Sequence, residues 1–473
     1  MGIDKKYRLT IMIILIGTFV GSLTQTLLTS ALPRIVADLG ISVGLGQWLT
    51  TIYMLVIGIM VPTTSFLIGK FSTRQLFMTC MALFFSGSLL ALFSGNFAML
   101  LTGRVLQAAG TGILFPLLNV IVLELTPIDR RGFSMGIVGL TVSFAPAIAP
   151  TLSGWMSDAF GWQSIFVLLS VLSGIILLVA VFLLKNVKRA EASGALDRLS
   201  ILCSSLGFGG LLLAFTSLSD YGFFHPLVIA PLVVGILSLI FFVRRQLKIK
   251  NPLLDVRIFK HKNFAVGTAL ISLYYFAFMG MGIVLPLYIQ SYLGQSALVS
   301  GLTLLPGAFL MAATSPLSGW MLDRLGARIT LLIGSVCLTG GTLLLTMTNA
   351  GTPMGVLVAD YAVRCVGLGF LLMPATTWSV DCLHIKKMPD GIVINNTIRQ
   401  VAGAIGSALM VTVMSVATNG AHTGSVAGDG VYGVHMSFLF SALLCIAALI
   451  LAVVFVRSTK REELRKQGKR QAK

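Results

Sequence analysis

Fourteen stretches of about 20 mainly apolar residues recur along this chain and constrain its fold more than any other feature. A helix needs about this length to cross the hydrocarbon core of a bilayer. Only 11% of the 473 residues are charged, whereas a soluble domain carries about 25%. The predicted spans are 9–32, 46–68, 76–95, 98–124, 134–157, 164–184, 199–219, 226–243, 264–290, 297–322, 329–349, 353–378, 392–418 and 434–456. The sequence therefore predicts an all-α polytopic membrane protein.

The charged residues predict how these spans are oriented. An even number of spans places both termini on one side, and most of the 34 Lys and Arg residues then fall on that same side. The largest basic clusters are 244–262 and 457–473. Because loops rich in Lys and Arg stay in the cytoplasm, both termini are predicted to be cytoplasmic. This distribution also explains the net charge of +18 without a nucleic-acid partner.

Two similar segments indicate an internal repeat. In span 4, Arg104 is followed by paired glycines and Pro116, and in span 12 Arg364 is followed by paired glycines and Pro374. Weak internal symmetry of this kind is typical of secondary transporters. If the segments are equivalent, the chain divides into a six-helix half at 1–190, a two-helix insert with a basic linker at 191–263, a second six-helix half at 264–457, and a basic tail at 458–473.

A charged motif follows span 10. Its residues are Gly319, Asp323, Arg324, Gly326 and Arg328, in the spacing G-x-x-x-D-R-x-G-x-R. Glycines permit tight backbone turns, and the Asp and Arg side chains can pair with the end of a neighbouring helix. The alternative interpretation is an ordinary charged turn.

These segments resemble the major facilitator superfamily. The 319–328 motif is similar to its cytoplasmic loop motif, and the Arg104 segment is similar to its span-4 motif. Fourteen spans resemble the drug–proton antiporter branch, which has two six-helix halves plus two inserted helices; the runs 25–28 and 73–77 look most like its lincomycin-export subgroup. The resemblance implies export of a lipophilic or cationic drug, dye or toxic compound against proton entry. Two departures stand out: Thr24 lies where many members have Asp, and the first cytoplasmic loop, 69–74, lacks an acid.

Four residues are candidates for proton coupling: Arg104, Asp360, Arg364 and Glu124. Charges inside a membrane are costly and usually face a partner or an aqueous cavity. Arg104 either faces the cavity or reaches the interface. Asp360 and Arg364 are four residues apart on one helix face, so they form either a permanent ion pair or a switch in which Asp360 is protonated. Glu124 lies at the cytoplasmic end of span 4.

Other polar and apolar side chains are candidates for a substrate cavity. In span 1, Ser22, Gln25 and Thr29 lie on one helix face, beside either a cavity or a neighbouring helix. Tyr275 and Met279 belong to a deformable apolar wall in span 9. The remaining candidates are Asn119, Asn395, Asn396 and Arg399, and the last three either line a cavity or tie helices together.

A third group is predicted to serve conformational change. Small residues at steps of three or four let helices approach closely. Such a stripe runs through span 5 and resembles the antiporter-type motif of the family. The predicted conformational residues outside the 319–328 motif are Gln107, Gly110, Gly139, Pro146, Pro150 and Gly154.

Several function classes are disfavoured. The six cysteines are scattered and form no metal-ligand spacing, and no ATP-binding P-loop is present, so neither a metal nor a cofactor is predicted. All five histidines lie in loops or at span ends, which disfavours an intramembrane enzyme, and no filter-like motif indicates a channel. The predicted partners are the lipid bilayer, protons and a small-molecule substrate. An exporter of an endogenous metabolite or lipid is the alternative within transporters. The oligomeric state stays open, with a monomer as a plausible form.

Overall fold

The computed structural model describes residues 5–187, 197–249, 252–349, 351–384, 387–421 and 426–456. The predicted tail 458–473 and most of the linker after span 6 lie outside these ranges. The described chain forms α1 (Lys5–Asp38), α2 (Val43–Lys70), α3 (Thr73–Leu92), α4 (Phe97–Leu125), α5 (Arg131–Phe160), α6 (Gln163–Leu183), α7 (Arg198–Tyr221), α8 (Pro226–Lys248), α9 (Lys262–Leu287), α10 (Ala297–Leu325), α11 (Ala327–Thr346), α12 (Met354–Asp381), α13 (Met388–Gly420) and α14 (Val426–Phe455).

Each predicted span falls on one of these fourteen helices. Thirteen of the described helices are long and apolar enough to cross a membrane, and α5 has 30 residues, apolar from Arg131 to Ala145. Most helices extend beyond the predicted ends, most clearly α1, which continues through Pro33, and α14, which begins at Val426 rather than at 434, whereas α3 and α11 end three residues before the predicted limits.

The helices form two six-helix halves, α1–α6 and α9–α14, with α7 and α8 inserted between them in the chain. One buried apolar cluster fills the first half around Phe77, Leu114 and Phe166. A second fills the other half around Tyr274 and Phe438. The first cluster also takes in Val380, Met388 and Ile392 from the ends of α12 and α13. The two halves therefore share an apolar core at one end of the bundle.

That end also holds the start of α1 and is called the basic end below. The backbone N–H of Lys185, just after α6, donates to Thr10 at the start of α1 at 3.2 Å. At the opposite end, Trp162 Nε1 donates to Asp38 of α1 at 2.8 Å. The helices thus run alternately up and down, and every even-numbered helix ends at the basic end.

The inserted hairpin of α7 and α8 lies outside the two halves. α7 packs on α2 and α13, so it contacts both halves, while α8 packs on α7 and is otherwise largely exposed. Arg245 Nε donates to Asp197 at 3.0 Å and closes the hairpin at the basic end. Hydrogen bonding to Arg245 lowers the pKa of Asp197 to about 2, so this carboxylate stays ionised at any cellular pH.

Candidate functional site

Arg104 is fully buried inside the first half, seven residues after the start of α4. Its Nε donates to the backbone carbonyl of Leu49 in α2 at 3.1 Å, and its terminal nitrogens lie 3.4 and 3.5 Å from the carbonyl of Thr24 in α1. The ring of Tyr53 stacks on the guanidinium, with 4.1 Å from the guanidinium carbon to the ring centroid. Arg104 therefore ties α1, α2 and α4 together in this conformation.

Gln107 extends this contact to α3. It accepts from Arg104 at 3.1 Å and donates to Ser88 Oγ at 2.9 Å. Gly110, one turn further along α4, lies directly against the carbonyl of Cys80, where a Cβ would overlap the oxygen. The span-4 motif is thus the place where α4 meets three neighbouring helices of its own half.

Arg364 occupies a comparable place in the second half and is also fully buried. It donates from Nε to Thr342 Oγ1 at 3.2 Å and from a terminal nitrogen to the carbonyl of Ala277 in α9. The other terminal nitrogen has no hydrogen-bond partner among the described residues. Arg104 and Arg364 each bind a backbone carbonyl of the first helix of their half, which agrees with the repeat read from the sequence.

Asp360 lies one turn before Arg364, and its side chain is 7% exposed. The described residues show no ion pair between Asp360 and Arg364 in this conformation, although the two share a helix face. The reason is that Arg364 turns toward α9 and α11. The roles predicted for the two side chains in coupling stay predictions.

Arg399 differs from the two buried arginines. It is half-buried in α13, eleven residues after Met388, the first residue of the helix. Its guanidinium carbon lies over the ring of Tyr275 from α9, 5.2 Å from the ring centroid. Its Nε is buried and has no hydrogen-bond partner among the described residues. Met279 lies one turn along α9 from Tyr275, and both side chains contact Gly403 of α13.

The predicted polar face of α1, which consists of Ser22, Gln25 and Thr29, is only partly accessible. Gln25 is half-buried, and its Nε2 lies 3.3 Å from Met54 Sδ in α2. Ser22 is buried, and its Oγ has no partner among the described residues. Thr29 lies in α1, but its side chain is outside the described part of the structure. Gln25, Tyr275, Met279 and Arg399 are therefore the half-exposed members of the predicted cavity set.

The three asparagines of that set are buried toward the basic end. Asn395 accepts from Thr268 of α9 at 2.8 Å and donates to Ser379 of α12 at 2.7 Å, so it ties three helices together. Asn396 donates to the carbonyl of Ile392 within its own helix at 3.0 Å. Asn119 is 4% exposed, and its Oδ1 has no hydrogen-bond partner among the described residues.

Asp323 joins the two halves at the basic end. Its carboxylate accepts the backbone N–H of Gly132 at 3.0 Å and that of Phe133 at 2.8 Å, at the start of α5. The backbones of Gly319 and Gly132 touch beside it, where a Cβ on either glycine would overlap the other residue. Gly319 and Asp323 thus form an inter-half contact, and Gly326 ends α10 with a φ of 91°.

The remaining charged candidates lie at the periphery of this end. Arg324 stacks on Trp320, with 4.7 Å from the guanidinium carbon to the ring centroid, and Arg328 is exposed. Glu124 is half-buried in a shallow groove with Ile68 and Leu76, and this groove includes neither Gln25 nor Arg399.

Sequence reasoning missed two further contacts between the halves. Arg131 at the start of α5 donates to Asp381 at the end of α12 at 3.0 Å. Ser65 near the end of α2 donates to Asp390 in the first turn of α13. The partners are 250 and 325 residues apart, and the only signal in the sequence is that all four lie close to span ends.

α5 continues the contact between the two halves away from the basic end. Ser315 of α10 donates to the carbonyl of Gly136 at 3.0 Å, and a Cβ on Gly139 would overlap the Ser315 hydroxyl. Further along, the rings of Phe144 and Phe309 lie edge to face with centroids 5.1 Å apart. A Cβ on Gly154, nearer the opposite end, would meet nothing within 4 Å. Pro146 and Pro150 fall in α5, but their side chains are outside the described part.

The arrangement suits binding and conformational change rather than covalent chemistry. Among the described residues, no group of His, Cys, Asp and Glu is arranged to hold a metal ion. The halves are joined at the basic end through Asp323 and Arg131, while Arg399, Tyr275 and Met279 are half-buried inside their helices.

Comparison with known proteins agrees with this picture. A family model described as the Major Facilitator Superfamily matches residues 14–407. The chain is 40% identical over 440 residues to an uncharacterized MFS-type transporter, YcnB, of Bacillus subtilis, covering 93% of both chains. It is 35% identical over 454 residues to the lincomycin resistance protein LmrB of Listeria monocytogenes, covering 94% of this chain and 96% of that one.

A solved structure shows the same fold. The human organic anion transporter MFSD10 superposes with a TM-score of 0.68 at 14% identity, covering 95% of this chain and all of that one. At this identity, the likeness concerns the fold alone.

Proposed function

Because this chain belongs to the Major Facilitator Superfamily, we propose that it is a secondary active exporter that exchanges a small lipophilic compound for protons by alternating access. One observation carries the proposal. The halves are joined at the basic end, through Asp323 and Arg131 among others, while Arg399 and Gln25 are only half-buried within their predicted spans. A central site open to one side at a time is what alternating access requires.

The basic end is the cytoplasmic end in this proposal. Both termini then lie in the bacterial cytoplasm, and the structure represents the outward-facing state. The support is the concentration of Lys and Arg at this end. Single cysteines in a cysteine-less background test it: an impermeant reagent added outside the cell labels position 96 and leaves position 188 unlabelled. The reverse pattern would contradict the orientation.

The cargo is proposed to include drugs. The support is the resemblance to the lincomycin resistance protein LmrB, together with the apolar wall of Tyr275 and Met279 beside Arg399. Export of an endogenous metabolite or lipid is the alternative. Lincomycin and lipophilic dyes of either charge are therefore the first probes to use.

Proton coupling is assigned to α12 and α4. Asp360 is the carboxyl group deepest in the predicted spans, and Glu124 at the end of α4 is the second candidate. Arg364 and Arg104 are proposed to hold the helices through which a change at Asp360 is transmitted. The rocking bodies are 1–190 and 264–457, with the small residues of α5 as one of the surfaces that separate, and a monomer suffices for this cycle.

Transport into inside-out vesicles tests the function. Export appears as uptake, so probe uptake is measured in vesicles with an acidic lumen, before and after nigericin collapses the pH gradient. The expected result is uptake that requires the gradient and is absent from vesicles lacking the protein. Uptake that is indifferent to the gradient, or that requires ATP, would contradict proton exchange.

A further inference from the structure

Arg399 lies inside a predicted span. It follows Met388, the first residue of α13, by eleven residues, and residue 392, where the predicted span begins, by seven, or about 10 Å at the helical rise of 1.5 Å per residue. Its backbone therefore lies within the apolar part of the helix rather than at its end.

Arg399 also lacks a counter-charge. The other charged residues placed inside the predicted spans are Arg104, Asp360, Arg364 and Glu124. Arg104 and Arg364 each donate a hydrogen bond to a backbone carbonyl of a neighbouring helix, which stabilises the buried charge. The structure shows no such partner for Arg399 among the described residues, only the ring of Tyr275. An intramembrane charge is costly, and those that persist usually face a binding pathway.

Tyr275 does not satisfy the N–H groups of Arg399. The guanidinium carbon lies over the ring, 5.2 Å from its centroid, which is an electrostatic contact with the ring face rather than a hydrogen bond to an acceptor atom. The Nε–H is one of these groups and has no acceptor in the described residues. A carboxylate can accept two N–H groups of one guanidinium together, in a planar two-bond contact.

The side chains around Arg399 and Tyr275 suit an amphiphilic compound. Phe278 contacts Tyr275, with ring centroids 5.7 Å apart, and Met279 lies beside Tyr275 against Gly403, so the side chains around the ring are uncharged. Met and aromatic side chains adapt to apolar bodies of different shape. A cationic substrate would meet the guanidinium without a compensating carboxylate among these side chains.

We propose that Arg399 binds the carboxylate of the transported compound, and that the preferred cargo is an anionic amphiphile whose apolar body rests on Tyr275, Phe278 and Met279. The proposal rests on the proposed export function and narrows its substrate class. It replaces the cationic cargo that the family resemblance implied.

Three probes of one shape test the charge preference: pyrenebutyrate, pyrenebutanol and pyrenebutylamine. Equilibrium binding of each is measured by fluorescence to the purified full chain in phosphatidylcholine nanodiscs, with empty nanodiscs subtracted. Because the carboxylate of pyrenebutyrate would form a hydrogen-bonded ionic contact with Arg399, the wild type should bind it about tenfold or more tighter than pyrenebutanol. Pyrenebutylamine should bind weakest of the three.

Variants assign the preference to one side chain. Arg399→Gln should weaken pyrenebutyrate binding about tenfold and leave pyrenebutanol binding unchanged, and Arg399→Lys should be intermediate because it keeps the charge but loses the planar contact. Arg244→Gln, which removes an exposed cation of α8, is the matched control and should change neither. The thermal midpoint of each variant verifies that it is folded. If Arg399→Gln does not fold, the comparison is made with Arg399→Lys instead.

Tighter binding of pyrenebutylamine than of pyrenebutyrate, or unchanged pyrenebutyrate binding by Arg399→Gln, would overturn the inference. The two proposals fail separately. Gradient-driven uptake of pyrenebutyrate that is equal in wild type and Arg399→Gln overturns the substrate class alone. Arg399-dependent binding without any gradient-driven uptake overturns the export function alone.

Discussion

Asp323 of the second half caps the helix that begins beside Phe133 in the first half, with 2.8 Å between its carboxylate and the backbone nitrogen. α5 has no side-chain cap of its own, because Arg130 makes no capping hydrogen bond. The first N–H groups of a helix carry partial positive charge, so an anion there is stabilising. The cap of α5 thus exists only while the halves are together at the basic end.

Asp323→Asn is expected to loosen this end. It removes the negative charge, at a cost of about 0.3–2 kcal/mol for the interaction with the helix terminus. A single cysteine at position 396, buried in the wild type, should then react faster with a maleimide applied at the basic end. Asp129→Asn changes an exposed acid at the same end and is the control. Equal labelling rates in the two variants would show that the cap does not hold the halves together.

Arg104 and Arg399 are expected to affect stability in opposite ways. Arg104→Gln removes charge-assisted hydrogen bonds between helices, and each is worth about 1.5–3 kcal/mol. Arg399→Gln removes an intramembrane charge that the described residues leave without an ionic partner, so the fold should be unchanged or more stable. Thermal unfolding of the two purified variants measures this. A larger loss for Arg399→Gln would mean that Arg399 has a structural role.

Thr24→Asp should be tolerated although it adds a buried charge. The carbonyl of Thr24 lies 3.4 Å from Arg104, so a carboxylate at this position has a cation within reach. Thr18→Asp is the matched control: it is equally buried, but it lies about 9 Å along α1, beyond the reach of that guanidinium. An unpaired buried charge costs several kcal/mol. The yield of folded protein by size exclusion should therefore be kept for Thr24→Asp and lost for Thr18→Asp; equal yields would contradict the argument.

Asp360→Asn tests proton coupling. If this carboxyl carries the proton, the variant should lose gradient-driven uptake and keep part of substrate exchange, which needs no net proton movement. Arg104→Ala should impair both activities, because it disrupts the contacts among α1, α2 and α4. Both rates can be measured in the same vesicles. Normal gradient-driven uptake by Asp360→Asn would make Glu124 the next candidate.

The sequence was sufficient to predict the fold because lipid imposes a simple rule. Every backbone polar group inside the bilayer must be satisfied, so each apolar stretch of sufficient length becomes a helix. The rule says little about helix ends. The residues 426–433 of α14 include three glycines and an Asp, which weaken the apolar signal, yet they are helical.

The candidate site was less predictable because its contacts join distant residues. Helical spacing correctly placed Asp360 and Arg364 on one face, but only the structure shows that Arg364 binds the carbonyl of Ala277 in another helix. Arg399 could be recognised as an intramembrane charge from sequence. That its guanidinium carbon lies over the ring of Tyr275 depends on how α9 and α13 pack against each other.

The position of the inserted hairpin determines where a compound dissolved in the bilayer can enter. α7 covers the groove between α2 and α13, with Leu212 seated over Gly58, so diffusion from the leaflets is blocked on that flank. The opposite flank, between α5 and α10, is sealed from the basic end as far as Phe144 and Phe309. Beyond these rings, Gly154 and Gly301 border open space. Among the described residues, the hairpin therefore covers one flank of the junction between the halves, and the packing of α5 on α10 covers the other from the basic end up to these rings.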